Sequence, residues 1–266
     1  MIIKNNNEIW KIYFKKLVTL LIYISYHESY YILYKMNNLI LVRHGQSHWN
    51  RERKFTGFVD IELTEEGKLE AENAGKLIEE LNIEFDAFFT SDLKRAINSL
   101  NIILKILNKT NVKINKAYEL RERNYGGLTG LNKDDVIRKY GKKQVQIWRR
   151  SFNTQPPPVD EHHPYKKKIG SDMLGESLKD TVNRVIPYYE KKIKPLISSG
   201  KNILIVFHGN SCRALLMTIL NISKEKIVEF EIPTGNPLLL GFGDDLKVKD
   251  YKYLDSKRAK KIFFDI

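Results

Sequence analysis

The chain has 266 residues, 42% hydrophobic and 29% charged, a composition that excludes a disordered chain and allows a sizeable core. Its formal charge of +13 reads either as solvated lysine-rich faces or as a field drawing anionic substrates inward. The scattered lysines argue against a nucleic-acid partner, which would want clustered basic and aromatic stripes. The single cysteine, Cys212, excludes an intrachain disulfide and any cysteine-cluster metal site.

In chain order, residues 1–35 come first, with five lysines and two glutamates. Leu17 to His27 is an uncharged run of eleven residues, against the ~20 that a membrane span needs. No small-residue cleavage site follows it, and Met36 opens MNNLILVRHG, which starts a strand almost at once. The reading is an N-terminal extension, non-native or disordered, ahead of a start at Met36, with a membrane-surface tether as the alternative. No membrane partner is expected, and the lone cysteine suits a reducing, cytoplasmic compartment.

From residue 36 to 266 a single catalytic domain is expected, with an insertion around 118–175. LILV (39–42) reads as a buried parallel strand stopped by Gly45. Thr64 caps a helix with acid in its first turn and an apolar stripe at Ala71, Ala74, Ile78 and Leu81. FDAFFT (85–90) predicts a second strand, and Ser91-Asp92 predicts the cap of the helix LKRAINSLNIILKIL. A less regular stretch ends at Pro156-Pro157-Pro158, and a polar surface excursion runs to Gly175. Glu176 to Ile197 is helical, with Pro187 as a kink. ILIVF (203–207) is a strand, SCRALLMTIL a helix that buries Cys212, and PLLLGF a later strand. This order predicts a three-layer α/β/α sandwich with a mostly parallel central sheet.

In such sheets ligands bind beyond the carboxyl ends of the strands. Three strand ends carry polar chemistry here: Arg43-His44, Ser91 through Arg95, and His208-Gly209-Asn210. Neutral imidazole is a nucleophile at physiological pH, and guanidinium groups suit the charge that phosphoryl transfer spreads over three oxygens. Arg43 and Arg95 would hold a phosphoryl group, His44 would attack it, and His208 would stabilise its equatorial oxygens. Glu122, in LRERNYGGL, is the candidate acid and base.

LVRHGQSHWN, FTGFVDIELTEEG, TSDLKRA, RERNYGGLTGLNK, QIWRRSF with its PPP, GESLKDT, HGNSCRALL and IPTGNPLL together resemble the cofactor-dependent phosphoglycerate mutases of the histidine phosphatase superfamily. The likeness runs from about Leu39 to beyond Tyr251. It implies phosphorylation of His44 on Nε2, with Glu122 as proton donor and acceptor and Arg43, Arg95 and His208 around the transition state. Asn50, Thr56, Gly57, Arg123, Asn124, Tyr125, Lys133, Arg149, Arg150, Gly209 and Asn210 are implied as substrate contacts. A mutase substrate carries a carboxylate besides its phosphate, which gives Lys133 and Arg149-Arg150 a purpose. The resemblance further implies 2,3-bisphosphoglycerate as the priming cofactor, no metal, phosphoglycerates as small-molecule partners, and a homo-oligomer (dimer or tetramer).

The chain departs from the family pattern at Asn124, where histidine is usual, and at Gln46, where glutamate is common. The excursion before Gly175 is shorter than in many relatives. The tail KRAKKIFFDI lacks the family's small-residue-rich closing segment, so minor bisphosphate hydrolysis is expected as water enters. Two rivals follow. A bisphosphoglycerate phosphatase, or a broader histidine phosphatase, would leave Lys133 and Arg149-Arg150 idle. An inactive interaction protein on the same fold would not need His44, Arg95, Glu122 and His208 together.

Overall fold

A computed structural model describes residues 37–169, 175–230 and 232–259. The predicted extension, the five residues before Gly175 and the end of the tail lie outside the described residues. In chain order the elements are β1 (Asn37–Arg43), α1 (His48–Arg51), α2 (Glu65–Glu79), β2 (Ala87–Thr90), α3 (Lys94–Ile106), β3 (Ile114–Lys116), α4 (Lys133–Tyr140), α5 (Lys142–Arg150) and α6 (Lys166–Ile169). Then come α7 (Leu178–Tyr188), a π-helical turn (Tyr189–Ile193), α8 (Lys194–Ser198), β4 (Ile203–Phe207), α9 (Gly209–Ile219), β5 (Leu238–Phe242) and β6 (Val248–Tyr253).

The strands form one sheet in the order β3-β2-β4-β1-β5-β6. The first four are mutually parallel; β5 runs antiparallel to β1, and β6 antiparallel to β5. Strand residues alternate between two cores because successive side chains point to opposite faces. Leu39, Leu41, Ile203, Ile205 and Phe207 pack with Val185, Ala214 and Leu215 of α7 and α9. Ile40, Val42, Leu204 and Val206 pack on the other face with Ala74, Ile78, Leu100 and Ile103 of α2 and α3. Both faces are apolar, so the strand sequences show no polar alternation, and helices must cover each side: three layers result.

Thr64 caps α2 by accepting from the Gly67 N–H at 3.0 Å, as its sequence position predicts. Ser177 and Asp180 form a capping box on α7. Pro187 lies inside α7, and the ladder loosens into the π-helical turn two residues later, which is where a missing N–H and a ring clash act.

One expectation is corrected at α3. Its N-cap is Leu93, with no side-chain cap bond. Ser91 is instead drawn to His208, and Asp92 pairs with Arg121 through two 2.5 Å bonds, so tertiary partners outbid the local capping role. Residues 118–169 fold as short turns and α4 to α6. They build two small clusters with the 49–59 segment: Phe55 with Leu128, Val136 and Val145, and Trp49 and Val59 with Ile169. Among the described residues, no helix is long and apolar enough to cross a membrane.

Candidate active site

Three adjacent parallel strands, β1, β4 and β2, end side by side, and each delivers one polar group. At the end of β1 the His44 N–H donates to Phe207 O at 2.9 Å, which carries the strand pairing one residue further. The chain then turns through Gly45, whose N–H donates to Ser99 Oγ at 3.0 Å. A Cβ on Gly45 would lie 2.0 Å from Gly67 O, and one on Gly67 would lie 2.0 Å from Gln46 O. Only two glycines allow this backbone contact between the turn and the first turn of α2.

His44 Nδ1 stands 2.6 Å from Gly45 O. A carbonyl only accepts, so Nδ1 carries the hydrogen and Nε2 keeps its lone pair. Arg95 Nε donates to that Nε2 at 3.3 Å, while its Nη1 and Nη2 bond Val59 O at 2.9 Å and Gly57 O at 2.8 Å. Gly57 thus contributes a carbonyl that aims Arg95 at the imidazole. Burial and the nearby Arg95 and Arg43 hold His44 well below the ordinary histidine range, so the ring is neutral. Burial also lowers Arg95, to about 10, which leaves it charged at neutral pH.

His208 follows β4. Its ring centroid is 4.9 Å from that of His44, at 63°. Its Nε2 meets Ser91 Oγ, from the end of β2, at 2.7 Å, and its buried Nδ1 has no partner. Burial, then Arg95, then His44 depress its pKa too, so both rings are neutral.

Glu122 comes from the loop after β3. Arg184 on α7 forms a fork with Glu176 at 2.7 and 2.8 Å and donates to the carbonyls of Glu119, Arg121 and Glu122 at 2.6 to 2.9 Å, bracing that loop. Glu122 Oε1 accepts from Arg123 N at 2.8 Å, Asn210 N at 3.2 Å and Asn210 Nδ2 at 2.8 Å. Burial pushes its pKa upward, but these hydrogen bonds with Arg43 and Arg95 outweigh it and leave a net lowering. The carboxylate is therefore ionised although only 8% exposed.

These groups meet at a cavity of about 100 Å³. Arg43, His44, Arg95 and Glu122 line it, as do Asn50, Thr56, Tyr125, Lys133, Arg149, Arg150, Gly209 and Asn210 among the expected contacts. His208 sits buried behind His44. Burial and the Arg149, Arg43 and Arg53 charges lower Lys133 to about 8 despite the opposing pull of Tyr125.

Of the expected substrate contacts, Gly57, Arg123 and Asn124 do not line the cavity. Arg123 is fully buried, donates to Trp148 O and Arg149 O at 3.1 and 2.6 Å, and stacks 5.0 Å from the Tyr125 ring. Asn124 Oδ1 accepts from Gly126 N at 2.9 Å, and its own N–H donates to Glu176 Oε2 at 2.8 Å. Glu122 and Tyr125 face the cavity while the two residues between them turn away from it and buttress the wall.

Three lining residues were not among the expected ones: Lys54, Phe55 and Arg213. Lys54 sits in a charge run and gives no signal. The signal for Arg213 is a guanidinium in the otherwise apolar helix SCRALLMTIL. Among the described residues, no three His, Cys, Asp or Glu side chains gather to hold a metal ion.

Residues 39–250 match the family model described as histidine phosphatase superfamily (branch 1). A 2,3-bisphosphoglycerate-dependent phosphoglycerate mutase of Zymomonas mobilis is 46% identical over 228 residues, covering 84% of this chain and 100% of that protein. One of Buchnera aphidicola is 48% identical over 229 residues, covering 83% and 100%. Among solved structures, a phosphoglycerate mutase from Bacillus anthracis superposes with a TM-score of 0.60 at 22% identity, over 82% of this chain and 92% of that one, a likeness of fold.

Proposed function

The chain belongs to the histidine phosphatase superfamily, and from that membership and the site's geometry we propose that it interconverts 2- and 3-phosphoglycerate through a phosphohistidine at His44. The relatives are named as 2,3-bisphosphoglycerate-dependent, and in this proposal that compound supplies the priming phosphoryl group. The residues fit so highly charged an anion: Arg43, Arg95, Lys133, Arg149 and Arg150 line one cavity whose sole acid among the lining residues is Glu122.

In the loading step His44 Nε2 forms its bond to phosphorus as the phosphorus–ester oxygen bond breaks, and Glu122, ionised in the free site, must first take up a proton from solvent, which it then gives to the departing oxygen. The imidazole becomes cationic, and Gly45 O accepts its Nδ1–H. Arg43 and Arg95 hold the transferring oxygens. With the Ser91 hydroxyl donating to its Nε2, His208 carries its hydrogen on the unpartnered Nδ1, ready for an equatorial oxygen. In the return step the Glu122 carboxylate takes the acceptor hydroxyl's proton as that oxygen takes phosphorus from His44. Return at the other hydroxyl yields the isomer. Asn50, Thr56, Tyr125, Gly209 and Asn210 orient the substrate, while Gly57 acts through Arg95.

The observation that carries this reading is the second cationic group, Lys133 with Arg149-Arg150, in the same cavity as His44, whose ring His208 touches from behind. A simple phosphomonoesterase needs only the cations beside His44. A substrate bearing both a phosphate and a carboxylate gives work to the rest. The proposal extends to one catalytic domain from Met36 with an insertion around 118–175, and to a cytoplasmic homo-oligomer, as the family resemblance implies.

The test is exposure to 2,3-bisphosphoglycerate, followed by mass spectrometry and a coupled mutase assay. Acid-labile phosphate on His44 with bisphosphate-dependent isomerisation is the expected result. A stable phosphohistidine that only hydrolyses would favour the phosphatase, and an unlabelled protein would overturn the reading.

A further inference from the structure

Arg213 is 8% exposed and forms no ion pair with a carboxylate among the described residues. Its Nε donates to Phe230 O at 2.6 Å and its Nη1 to Asn210 Oδ1 at 3.1 Å. Asn210 and Arg213 stand three residues apart on α9, so they share a helix face. On its other side, Asn210 Nδ2 donates to Glu122 Oε1 at 2.8 Å and to Tyr125 Oη at 3.2 Å. Guanidinium only donates and an ionised carboxylate only accepts. A carboxamide between them therefore has one orientation, oxygen toward Arg213 and nitrogen toward Glu122.

We propose that Arg213 is a positioning residue for Glu122, acting through Asn210 by fixing which end of the carboxamide meets the carboxylate. This rests on the role given to Glu122 above. Freed of Arg213, the carboxamide can present its oxygen to Glu122, and two acceptors face each other amicably only when the acid is protonated. The base form then recedes.

The other charges and titratable groups around Glu122 are Arg43 from the end of β1, Arg95 on α3, Arg184 on α7, Arg123 and Tyr125 on its own loop and Cys212 beside Arg213 on α9, with neutral His44 and His208 behind. Burial chiefly, with the nearby Arg150, lowers Arg213 to about 9, which leaves it charged at neutral pH. It therefore supports the carboxylate by its charge as well as by its hydrogen bond. Arg213→Lys separates the two, since it keeps the charge and loses the fork.

The experiment is single-turnover transfer from phosphorylated full-length enzyme to 3-phosphoglycerate across pH 5 to 9, for wild type, Arg213→Met and Arg213→Lys. The acidic limb of the rate should move to higher pH in Arg213→Met, costing about tenfold below the limb for each unit moved, with rates converging above it. Arg213→Lys should move the limb less. In an Asn210→Ala background Arg213→Met should lose most of its shift. A loss uniform in pH, or an unmoved limb in both variants, would overturn the inference; should Arg213→Met fail to fold, Arg213→Lys decides alone. Failure of the wild type to form phosphohistidine would instead defeat the function proposed above.

Discussion

Replacing Glu122 by glutamine separates proton transfer from everything else the site does. The glutamine carbonyl can accept the same three donors, Arg123 N, Asn210 N and Asn210 Nδ2, so the loop and its bracing by Arg184 stay in place. What is lost is an oxygen able to take or return a proton. A positioned acid–base group contributes roughly 10²- to 10⁴-fold, or about 2.7 to 5.4 kcal/mol of barrier. Removing the one acid of a cationic cavity also tightens the hold on anions, so KM should stay level or fall while kcat collapses. Rapid quench and assay of acid-labile phosphate measure the loading of His44 directly. With 2,3-bisphosphoglycerate, whose departing oxygen is an alcohol, loading should show the full loss. With p-nitrophenyl phosphate, whose phenolate leaves unaided, the loss should be far smaller. Equal losses with both donors would refute the assignment of Glu122 as proton carrier.

Arg150→Ala should reduce kcat/KM for phosphoglycerates by about 10- to 100-fold, the worth of a charge-assisted hydrogen bond, and should hardly change p-nitrophenyl phosphate hydrolysis. Steady-state kinetics with the two substrates check this. His44 and His208 have folded-state pKa values below the unfolded one, so their neutral burial costs nothing above about pH 6.5 and removes stability as pH falls below it. Two protons bound only by the unfolded chain give a slope of about 2.7 kcal/mol per pH unit, and urea unfolding between pH 7.5 and 5 should be flatter by most of that in a His44→Asn/His208→Asn variant. Gly67→Ala would place a Cβ 2.0 Å from Gln46 O, forcing the turn after His44 away from α2; thermal unfolding should register a loss of about 1–3 kcal/mol, and mutase activity should fall with it.

β1, β2 and β4 were readable because unbroken apolar runs such as Ile203–Phe207 have few uses other than a strand buried on both faces. β3 and β6 were not. Ile114–Lys116 and Val248–Tyr253 are edge strands, short or laced with exposed lysines, and carry the composition of loops. PLLLGF announced a strand but not its direction, which depends on where the preceding chain enters the sheet. The failed cap at Ser91 shows a local signal overruled by an imidazole 117 residues away. That His44, Arg43, Arg95 and His208 would gather was legible because they stand at or follow the ends of apolar strands that the topology sets side by side. That Arg123 and Asn124 turn from the cavity and that Arg213 lines it was not legible, because the facing of an irregular loop, and the need of a neighbouring amide for a donor, exist only in three dimensions.

β4 lies between β1 and β2, yet the ribosome makes it after both and after the whole 118–175 stretch. A nascent chain that has reached residue 200 therefore holds two apolar strands with a strand-wide slot between them and nothing to fill it. Such a chain cannot mature piecemeal: truncation before β4 removes His208 and the sheet's centre together, and leaves sticky edges instead of a smaller enzyme. Biogenesis of this protein should accordingly lean on holdase chaperones through most of translation, with competence arriving in a single late event.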